Sequence, residues 1–281
     1  MIEQFGQRLQ AKMAVQGQLC VGIDPHPELL LKWGLGDDVV ALKRFSHGIL
    51  DAVADLVPVI KPQVALFERF GSAGIAVLEE LLAAARAAGV LTIADAKRGD
   101  IGSTMAAYAS AWLDDASPLV ADAVTLSPYL GFGSLRPALE LAERTGRGVF
   151  VLALTSNPEG ASVQHTGATE PSGSVAAGIV REASAENARV LGQGAGWGST
   201  GLVVGATVED TLEALEIDLT TLRGPILAPG LGAQGATGAD LRRVFGAAYP
   251  QVLATSSRGI AAAGPNQAAL REATERTLAD L

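Results

Sequence analysis

Eight short apolar segments, separated by longer stretches rich in alanine and leucine, constrain the fold of this chain more than any other feature of its sequence. Each segment is largely apolar on both faces and is closed by a turn-forming residue such as Gly, Pro, Asp or Ser. The segments lie at residues 19–24, 57–62, 90–95, 122–127, 148–154, 201–206, 225–230 and 251–256. Such segments are typical of strands in a parallel sheet that is covered on both sides.

The stretches between these strands have the periodicity of helices, as in residues 73–89 and 265–281. Eight strands, each followed by a helix, are the number that a (β/α)8 barrel requires, and such barrels often form one domain of this length. We therefore predict an α/β fold in which residues 1–281 form a single TIM barrel. A doubly wound parallel sheet is the alternative, although it usually contains fewer strands. Residues 1–18 are predicted to form an amphipathic helix that precedes the barrel.

The composition excludes several classes of protein. A net charge of −9 disfavours a nucleic-acid polymer as a partner, because a phosphate backbone needs basic patches. No uncharged apolar run approaches the ~18 residues that a membrane span needs, and the charged N-terminus is unlike a signal peptide. A single cysteine, Cys20, cannot form an intrachain disulfide, which fits a reducing compartment. We expect a soluble cytoplasmic protein with no membrane partner.

A long, polar and turn-rich loop follows the fifth predicted strand, at residues 157–172. The alternation of strands and helices resumes after this loop, so it does not have the character of a linker between domains. We predict that the loop lies over one mouth of the barrel and acts as the lid of an active site.

Functional-looking residues gather at the C-terminal ends of the predicted strands, where barrels of this kind carry their active sites. These residues are Asp24, Lys61, Asp95, Lys97, Ser156, Pro229, Ser257 and Arg258. In the third strand, Asp95 and Lys97 are two residues apart, so strand alternation should point both side chains into the barrel mouth. A lysine beside carboxylates keeps its proton and is well placed to donate it. A salt-bridge network at the strand end is the alternative interpretation.

The seventh strand runs into GLGAQG, residues 230–235, which formally matches the G-x-G-x-x-G pattern of dinucleotide-binding folds. That pattern belongs after the first strand and needs an acidic residue ~20 positions later, and neither condition holds here. The glycines instead fit a loop whose backbone approaches a phosphate, with Arg258 supplying positive charge. A plain glycine-rich turn is the alternative. The three histidines, His26, His47 and His165, lack metal-ligand spacing, so the sequence predicts no metal site.

The segment DAKRGDIGST, residues 95–104, has the form D-x-K-x-x-D-I-x-x-T and resembles the signature of the orotidine 5′-phosphate decarboxylase family. Further pieces of the family pattern appear in order: an Asp ending the first strand, a Lys ending the second, TSNP after the fifth, PGLGAQG after the seventh and SSRGI after the eighth. The chain length, the TSNPEG loop and SSRG in place of a commoner GR resemble a longer, divergent bacterial branch.

The resemblance implies that the chain converts orotidine 5′-monophosphate to uridine 5′-monophosphate and carbon dioxide in de novo pyrimidine biosynthesis, without a metal or an organic cofactor. It implies that Lys97 protonates C6 of the pyrimidine while Asp95 lies beside the departing carboxylate. Lys61 and Asp100 would complete an alternating array of charges, and Asp24 would join Lys61 in binding the ribose hydroxyls.

The same resemblance implies a homodimer with shared active sites, in which Asp100, Ile101 and Thr104 reach into the site of the other subunit. Ser156 is expected to contact the base. The other expected substrate contacts, which include the phosphate-binding residues, are Pro229, Gln234, Ser257 and Arg258.

Two other functions stay open on the sequence alone. A magnesium-dependent sugar-phosphate decarboxylase of the same barrel group has a similar D-x-K-x-x-D pattern. Those enzymes carry an acid at the end of the second strand, however, where this chain has Lys61. A non-catalytic phosphate-binding barrel is the other alternative, since a fold does not prove an activity.

Overall fold

Eight parallel strands close into a barrel in the computed structural model of the protein, which describes residues 2–170, 173–232 and 235–281. Each strand pairs with the next one along the chain, and the last strand pairs with the first. The strands are β1 Leu19–Ile23, β2 Val59–Pro62, β3 Leu91–Arg98, β4 Ala123–Leu126, β5 Gly148–Leu154, β6 Thr200–Val204, β7 Ile226–Pro229 and β8 Val252–Ser256. The predicted (β/α)8 barrel is confirmed, and the doubly wound sheet is excluded because such a sheet is open.

Helices follow the strands and surround the barrel. The α-helices are α1 Phe5–Gln16, α2 Pro27–Lys32, α3 Val39–Val53, α4 Ala65–Glu68, α5 Gly71–Ala87, α6 Gly102–Leu113, α7 Arg136–Thr145, α8 Ala161–Gln164, α9 Val175–Leu191, α10 Glu209–Ala214, α11 Gly238–Phe245, α12 Arg258–Ala261 and α13 Gln267–Asp280. Short 3-10 helices span Phe132–Leu135, Pro158–Gly160, Leu219–Leu222 and Gly246–Gln251. The predicted helices at 73–89, 265–281 and the N-terminus are confirmed as α5, α13 and α1. Within the described ranges, none of the helices is long and apolar enough to cross a membrane.

The barrel interior is filled by apolar side chains from all eight strands. Ile93, Phe150 and Leu253 belong to this interior cluster and are fully buried. Helix α1 closes the N-terminal end of the barrel, because Phe5 and Leu9 pack into the same cluster. The rings of Phe5 and Phe150 meet edge to face, with their centroids 5.9 Å apart. Since the interior and its N-terminal end are filled, the C-terminal ends of the strands form the open mouth.

Strand β3 departs from the prediction, because it continues past its predicted end to Arg98. Its pairing with β4 is regular up to Ala94 and resumes only at Arg98, so residues 95–97 lie opposite the single residue Thr125. Within this bulge Lys97 has a φ of +48°, in the left-handed region that few residues other than glycine adopt. A bulge redirects side chains, so strict strand alternation does not apply at Lys97.

Candidate active site

A cavity of about 370 Å3 opens at the C-terminal mouth of the barrel. Eight of the residues that the sequence predicted line this cavity: Asp24, Lys61, Asp95, Lys97, Ser156, Pro229, Ser257 and Arg258. They lie at or just after the C-terminal ends of six different strands, so it is the closure of the barrel that brings them together.

The carboxylate of Asp95 accepts four hydrogen bonds. Its Oδ2 atom accepts from Nζ of Lys61 at 2.8 Å and from Nε2 of Gln63 at 3.0 Å. Its Oδ1 atom accepts from Nζ of Lys97 at 2.6 Å and from Oγ1 of Thr125 at 2.9 Å. A carboxylate has about four acceptor positions, so protein donors fill the whole shell of Asp95.

The charge states of the buried members of this cluster follow from their surroundings. Burial alone would raise the pKa of Asp95, but the positive charges of Lys61 and Lys97 and their hydrogen bonds hold that pKa well below its usual range. Burial also opposes the charge on Lys61, yet the negative charges of Asp95 and Asp24 raise its pKa above the ordinary lysine value. At neutral pH Asp95 is therefore an anion and Lys61 a cation.

Lys97 differs from Lys61 in how much of its side chain is open to solvent. The side chain of Lys61 is 6% exposed, whereas that of Lys97 is 45% exposed. Lys97 and Asp95 lie together, as predicted, but the cause is the bulge in β3 and not regular alternation. The partly exposed ammonium of Lys97 can meet a ligand that enters the cavity, and its contact with Asp95 limits where it can move.

Three buried side-chain oxygens of residues that line the cavity have no hydrogen-bond partner within the described part of the chain. They are Oδ1 of Asp24, Oγ1 of Thr255 and Oγ of Ser257. Buried polar atoms are almost always hydrogen-bonded, so a ligand or water is needed to satisfy them. The Asp24 oxygen can accept from a hydroxyl group, and the Ser257 hydroxyl can donate or accept.

The opposite wall of the cavity is apolar. Leu152, Val203 and Leu227 line it from β5, β6 and β7. In a closed barrel of eight strands β6 lies across from β2, which carries Lys61. A flat ring bound between the two walls would therefore meet apolar groups on one side and charged groups on the other.

The loop after β7 turns back on itself at the mouth. The N–H of Gly232 donates to the carbonyl of Ala236 at 2.9 Å, and Gly230 and Gly232 have φ values of 123° and 73°. Glycine adopts such positive φ values without strain. Gly230 lines the cavity together with Arg258. An anionic group in this part of the cavity could therefore approach the glycine backbone and the guanidinium of Arg258. The predicted residue Gln234 lies outside the described residues.

Three predicted residues, Asp100, Ile101 and Thr104, do not line the cavity of their own chain. Oδ1 of Asp100 accepts a hydrogen bond from the backbone N–H of Ile101 at 2.8 Å. Ile101 is 62% exposed, and Thr104 is exposed at the start of α6. In a single chain these residues lie on the surface beside the mouth.

The loop predicted to be a lid begins at the cavity. Asn157 lines the cavity, and most of the following described residues, up to residue 170, are exposed. Its last two residues, Pro171 and Ser172, lie outside the described residues.

Two of the four donors to Asp95, Gln63 and Thr125, were not predicted from the sequence. Gln63 lies two residues after Lys61, and Thr125 lies in an apolar strand segment. Alternation along β2 and β4 places both on the inner side, near the C-terminal ends of the strands. A polar residue at such an inward position was the signal that could have found them.

Metal-binding side chains are not grouped anywhere in the described ranges: no cluster of three or more His, Cys, Asp or Glu residues there could hold an ion. Both acidic residues of the cavity, Asp24 and Asp95, interact with the ammonium of Lys61. A divalent cation between these carboxylates would meet that positive charge.

The chain is similar to known proteins over nearly its whole length. The model of the orotidine 5′-phosphate decarboxylase / HUMPS family matches residues 17–273. A curated relative from Salinispora arenicola, named orotidine 5′-phosphate decarboxylase, is 56% identical over 279 residues, which are 99% of this chain and 97% of the relative. A relative of the same name from Streptomyces coelicolor is 55% identical over 276 residues, which are 98% of this chain and 96% of the relative.

The fold is also found in a solved structure. A crystal structure of a protein from Streptomyces avermitilis, provisionally assigned as an orotidine 5′-phosphate decarboxylase, matches with a TM-score of 0.92 and 56% identity. The match covers 99% of this chain and 94% of that one.

Proposed function

The chain belongs to the orotidine 5′-phosphate decarboxylase / HUMPS family, and from this premise we infer that it converts orotidine 5′-monophosphate to uridine 5′-monophosphate and carbon dioxide. The observation that carries this inference is the ionised Asp95, which lies between the ammonium groups of Lys61 and Lys97 at the mouth of the barrel. The relatives of this chain are named orotidine 5′-phosphate decarboxylase. The protein is thus a carboxy-lyase of de novo pyrimidine biosynthesis, and we propose that it works in the cytoplasm.

The chemical difficulty of this reaction is the electron pair left on C6 when its bond to the carboxylate breaks. No electron-accepting group lies next to that carbon, so the enzyme has to stabilise the developing charge electrostatically. In the proposed mechanism the ammonium of Lys97 is a fixed positive charge beside C6. As carbon dioxide leaves, the electron pair on C6 takes a proton from Nζ of Lys97, and the neutral lysine regains a proton from water.

Asp95 supports this step by holding both ammonium groups in place. Its two oxygens lie 2.6 Å from Nζ of Lys97 and 2.8 Å from Nζ of Lys61. Charges that are positioned before the substrate arrives need no reorganisation at the moment of reaction. In the bound complex Asp95 lies beside the carboxylate that departs, and Asp100 from a second copy of the chain completes the alternating charges.

The remaining residues of the cavity bind the parts of the nucleotide that do not react. We assign the ribose hydroxyls to Asp24 and Lys61, which is supported by the unpaired buried oxygen of Asp24. Ser156 contacts the base, and Arg258 with the glycine loop binds the phosphate. The further substrate contacts are Pro229, Gln234 and Ser257. Binding of the phosphate supplies free energy that aligns the reacting groups, so a substrate without it should lose rate as well as affinity.

We propose that the protein is a homodimer with shared active sites. Ile101, Tyr129 and Leu130 are large apolar side chains that are exposed on the segments after β3 and β4. Large apolar side chains exposed near one another are typical of an interaction surface. A second copy on this surface would bring Asp100, Ile101 and Thr104 to the neighbouring cavity.

Loop 157–172 is proposed to close over the bound nucleotide. Two hydrogen bonds join the middle of the loop to the residue that follows β5: the N–H of Thr155 donates to Oε1 of Gln164 at 2.9 Å, and Nε2 of Gln164 donates to Oγ1 of Thr155 at 2.8 Å. These bonds close the first half of the loop on itself, which suits a segment that moves as a unit. With this lid, residues 1–281 are proposed to form one barrel domain.

A magnesium-dependent sugar-phosphate decarboxylase of the same barrel group is the weaker alternative. Its metal would have to bind near Asp24 and Asp95, where the buried ammonium of Lys61 lies within hydrogen-bonding distance of Asp95. That charge repels a divalent cation.

The test is a spectrophotometric assay of orotidine 5′-monophosphate loss with the purified protein, run with and without EDTA. We expect equal turnover under both conditions and uridine 5′-monophosphate as the product on chromatography. Turnover that EDTA abolishes would favour the magnesium alternative, and no turnover in either condition would overturn the proposal.

A further inference from the structure

We propose that Thr125 is a positioning residue for the decarboxylation, because its single hydroxyl holds the backbone of Lys97 and the carboxylate of Asp95 in a fixed relation. The proposal rests on the proposed function and adds to it a residue that lies within an otherwise apolar strand. Thr125 is fully buried in β4, and its side chain does not line the cavity.

The hydroxyl of Thr125 bridges two groups whose hydrogen-bonding roles are fixed. The backbone N–H of Lys97 donates to Oγ1 of Thr125 at 2.9 Å, and Oγ1 donates to Oδ1 of Asp95 at 2.9 Å. A backbone N–H can only donate and an ionised carboxylate can only accept, so the hydroxyl has a single orientation. The position of the Lys97 backbone is thereby linked to that of the Asp95 carboxylate.

The bulge in β3 explains why such a link is needed. The ladder between β3 and β4 is interrupted at residues 95–97, which lie opposite Thr125 alone. Lys97 has its left-handed φ within this interruption, and that conformation is unfavourable for a residue with a Cβ atom. Such a conformation persists only when the surrounding contacts hold it, and the Thr125 hydroxyl is one of these contacts.

The same oxygen of Asp95 receives both Thr125 and the ammonium of Lys97, whose Nζ lies 2.6 Å away. Without the Thr125 hydroxyl, the Lys97 N–H and the Asp95 oxygen would each lose a partner, and the ammonium would be less well placed beside C6. Within the described residues, the Thr125 hydroxyl is not hydrogen-bonded to Asp24 or Arg258, which are assigned to the ribose and the phosphate, so these two residues should keep their positions. The rate of the chemical step should therefore fall while nucleotide affinity is retained.

Thr92 provides a matched control on the same pair of strands. Its hydroxyl accepts from the backbone N–H of Asp122 at 3.0 Å and donates to Oδ2 of Asp122 at 3.2 Å. Thr92 is buried like Thr125, but it lies near the N-terminal end of β3, away from the cavity. Replacement of either threonine by valine removes one bridging hydroxyl and keeps the shape of the side chain.

The experiment compares Thr125→Val, Thr125→Ser and Thr92→Val with the wild type, by kcat for orotidine 5′-monophosphate and by calorimetric binding of uridine 5′-monophosphate. We expect Thr125→Val to lower kcat by about 10- to 100-fold with unchanged nucleotide affinity. Thr125→Ser keeps the hydroxyl and should keep kcat near the wild-type value. Thr92→Val should lower thermal stability and leave kcat unchanged. If Thr125→Val does not fold, Thr125→Ala paired with Thr125→Ser makes the same comparison.

The inference is overturned if Thr125→Val matches Thr92→Val in kcat, or if Thr125→Ser is as slow as Thr125→Val. An active wild type with either result would leave the proposed function standing. An inactive wild type would overturn the proposed function, and this inference with it.

Discussion

Nζ of Lys61 lies 2.8 Å from Oδ2 of Asp95, and the two side chains are only 6% and 9% exposed. Each charged group in such a pair has lost most of its hydration, and the attraction between the two charges compensates for that cost. Removal of one partner leaves the other charged and buried without the group that it is hydrogen-bonded to. Because Asp95 also pairs with Lys97, one carboxylate balances two ammonium groups.

Asp95→Asn should therefore destabilise the folded protein as well as abolish turnover. We expect a loss of about 3–5 kcal/mol in the free energy of unfolding, measured by urea denaturation, because the buried Lys61 ammonium would lose the carboxylate to which it is hydrogen-bonded. Glu80→Gln is the control, since Glu80 pairs with Lys43 on the surface, where both side chains are about half exposed. Equal effects of the two substitutions would contradict the prediction.

The destabilisation by Asp95→Asn should depend on pH in a defined direction. The pKa of Asp95 is lowered in the folded protein from an ordinary value of 3.8, so the unfolded chain binds the proton first as pH falls. The stability that Asp95 contributes is complete above that value and is lost as pH falls below it. The difference in unfolding free energy between wild type and Asp95→Asn should be constant from about pH 5 to 7 and shrink below about pH 4. Denaturation curves at a series of pH values check this, and a difference that does not shrink in acid would refute it.

Lys97→Ala should remove turnover without unfolding the protein. Its side chain is 45% exposed, so little packing is lost, whereas the proposed proton donor and the charge that we place beside C6 both disappear. We expect kcat to fall by about four orders of magnitude or more, with uridine 5′-monophosphate binding largely retained in calorimetry. Lys43→Ala is the matched control, because the Lys43 side chain is 53% exposed and lies outside the cavity. Retained turnover in Lys97→Ala would exclude the lysine as the proton donor.

The barrel could be predicted from sequence because strands that are buried on both faces leave continuous apolar runs. The predicted strand at 148–154 has the same bounds as β5 in the structure. The other seven predicted segments each overlap one of the remaining strands. The bulge in β3 could not be predicted in the same way. The left-handed conformation of Lys97 depends on contacts with β4. The local sequence of β3 gives no indication of these contacts.

Most of the site could be predicted for a related reason, since the topology brings strand ends together whatever the details of their loops. Thr125 was not predicted because threonine is common in strands, and its inward position near the end of β4 becomes a signal only once the bounds and faces of that strand are known. Asp100 and Ile101 were predicted to serve a second subunit only from a family resemblance. Their positions on the surface of one chain fit that role, but the sequence pattern alone carries no information about a second copy.

Arg258→Ala should weaken the reaction of the nucleotide and spare that of the nucleoside. Arg258 lines the cavity beside the glycine loop, where we place the phosphate. Loss of a charge-assisted hydrogen bond should lower kcat/KM for orotidine 5′-monophosphate by about 10- to 100-fold. The slow decarboxylation of orotidine, which has no phosphate, should be unchanged. Arg44→Ala, at an exposed position on α3, is the control. An equal loss with both substrates would show that Arg258 does not act through the phosphate.

Hybrid dimers test whether the active sites are shared. A Lys97→Ala chain lacks the proposed proton donor but carries an intact Asp100, and an Asp100→Ala chain has the reverse defect. If Asp100 enters the cavity of the other subunit, a hybrid dimer contains one site with both residues and one site with neither. Each variant alone should be inactive, because each of its sites lacks one of the two residues.

Activity should therefore return when the two inactive variants are denatured, mixed and refolded together. Random assembly of equal amounts makes about half of the dimers hybrids, and one of the two sites in each hybrid is intact. About a quarter of all sites are then intact, so about a quarter of the wild-type activity should return. Light scattering on the mixture verifies that dimers have formed. If Asp100 instead served its own chain, every hybrid site would lack one residue and mixing would restore nothing. That result would require the Asp100 carboxylate to leave its hydrogen bond with the Ile101 N–H, at 2.8 Å, and turn into its own cavity.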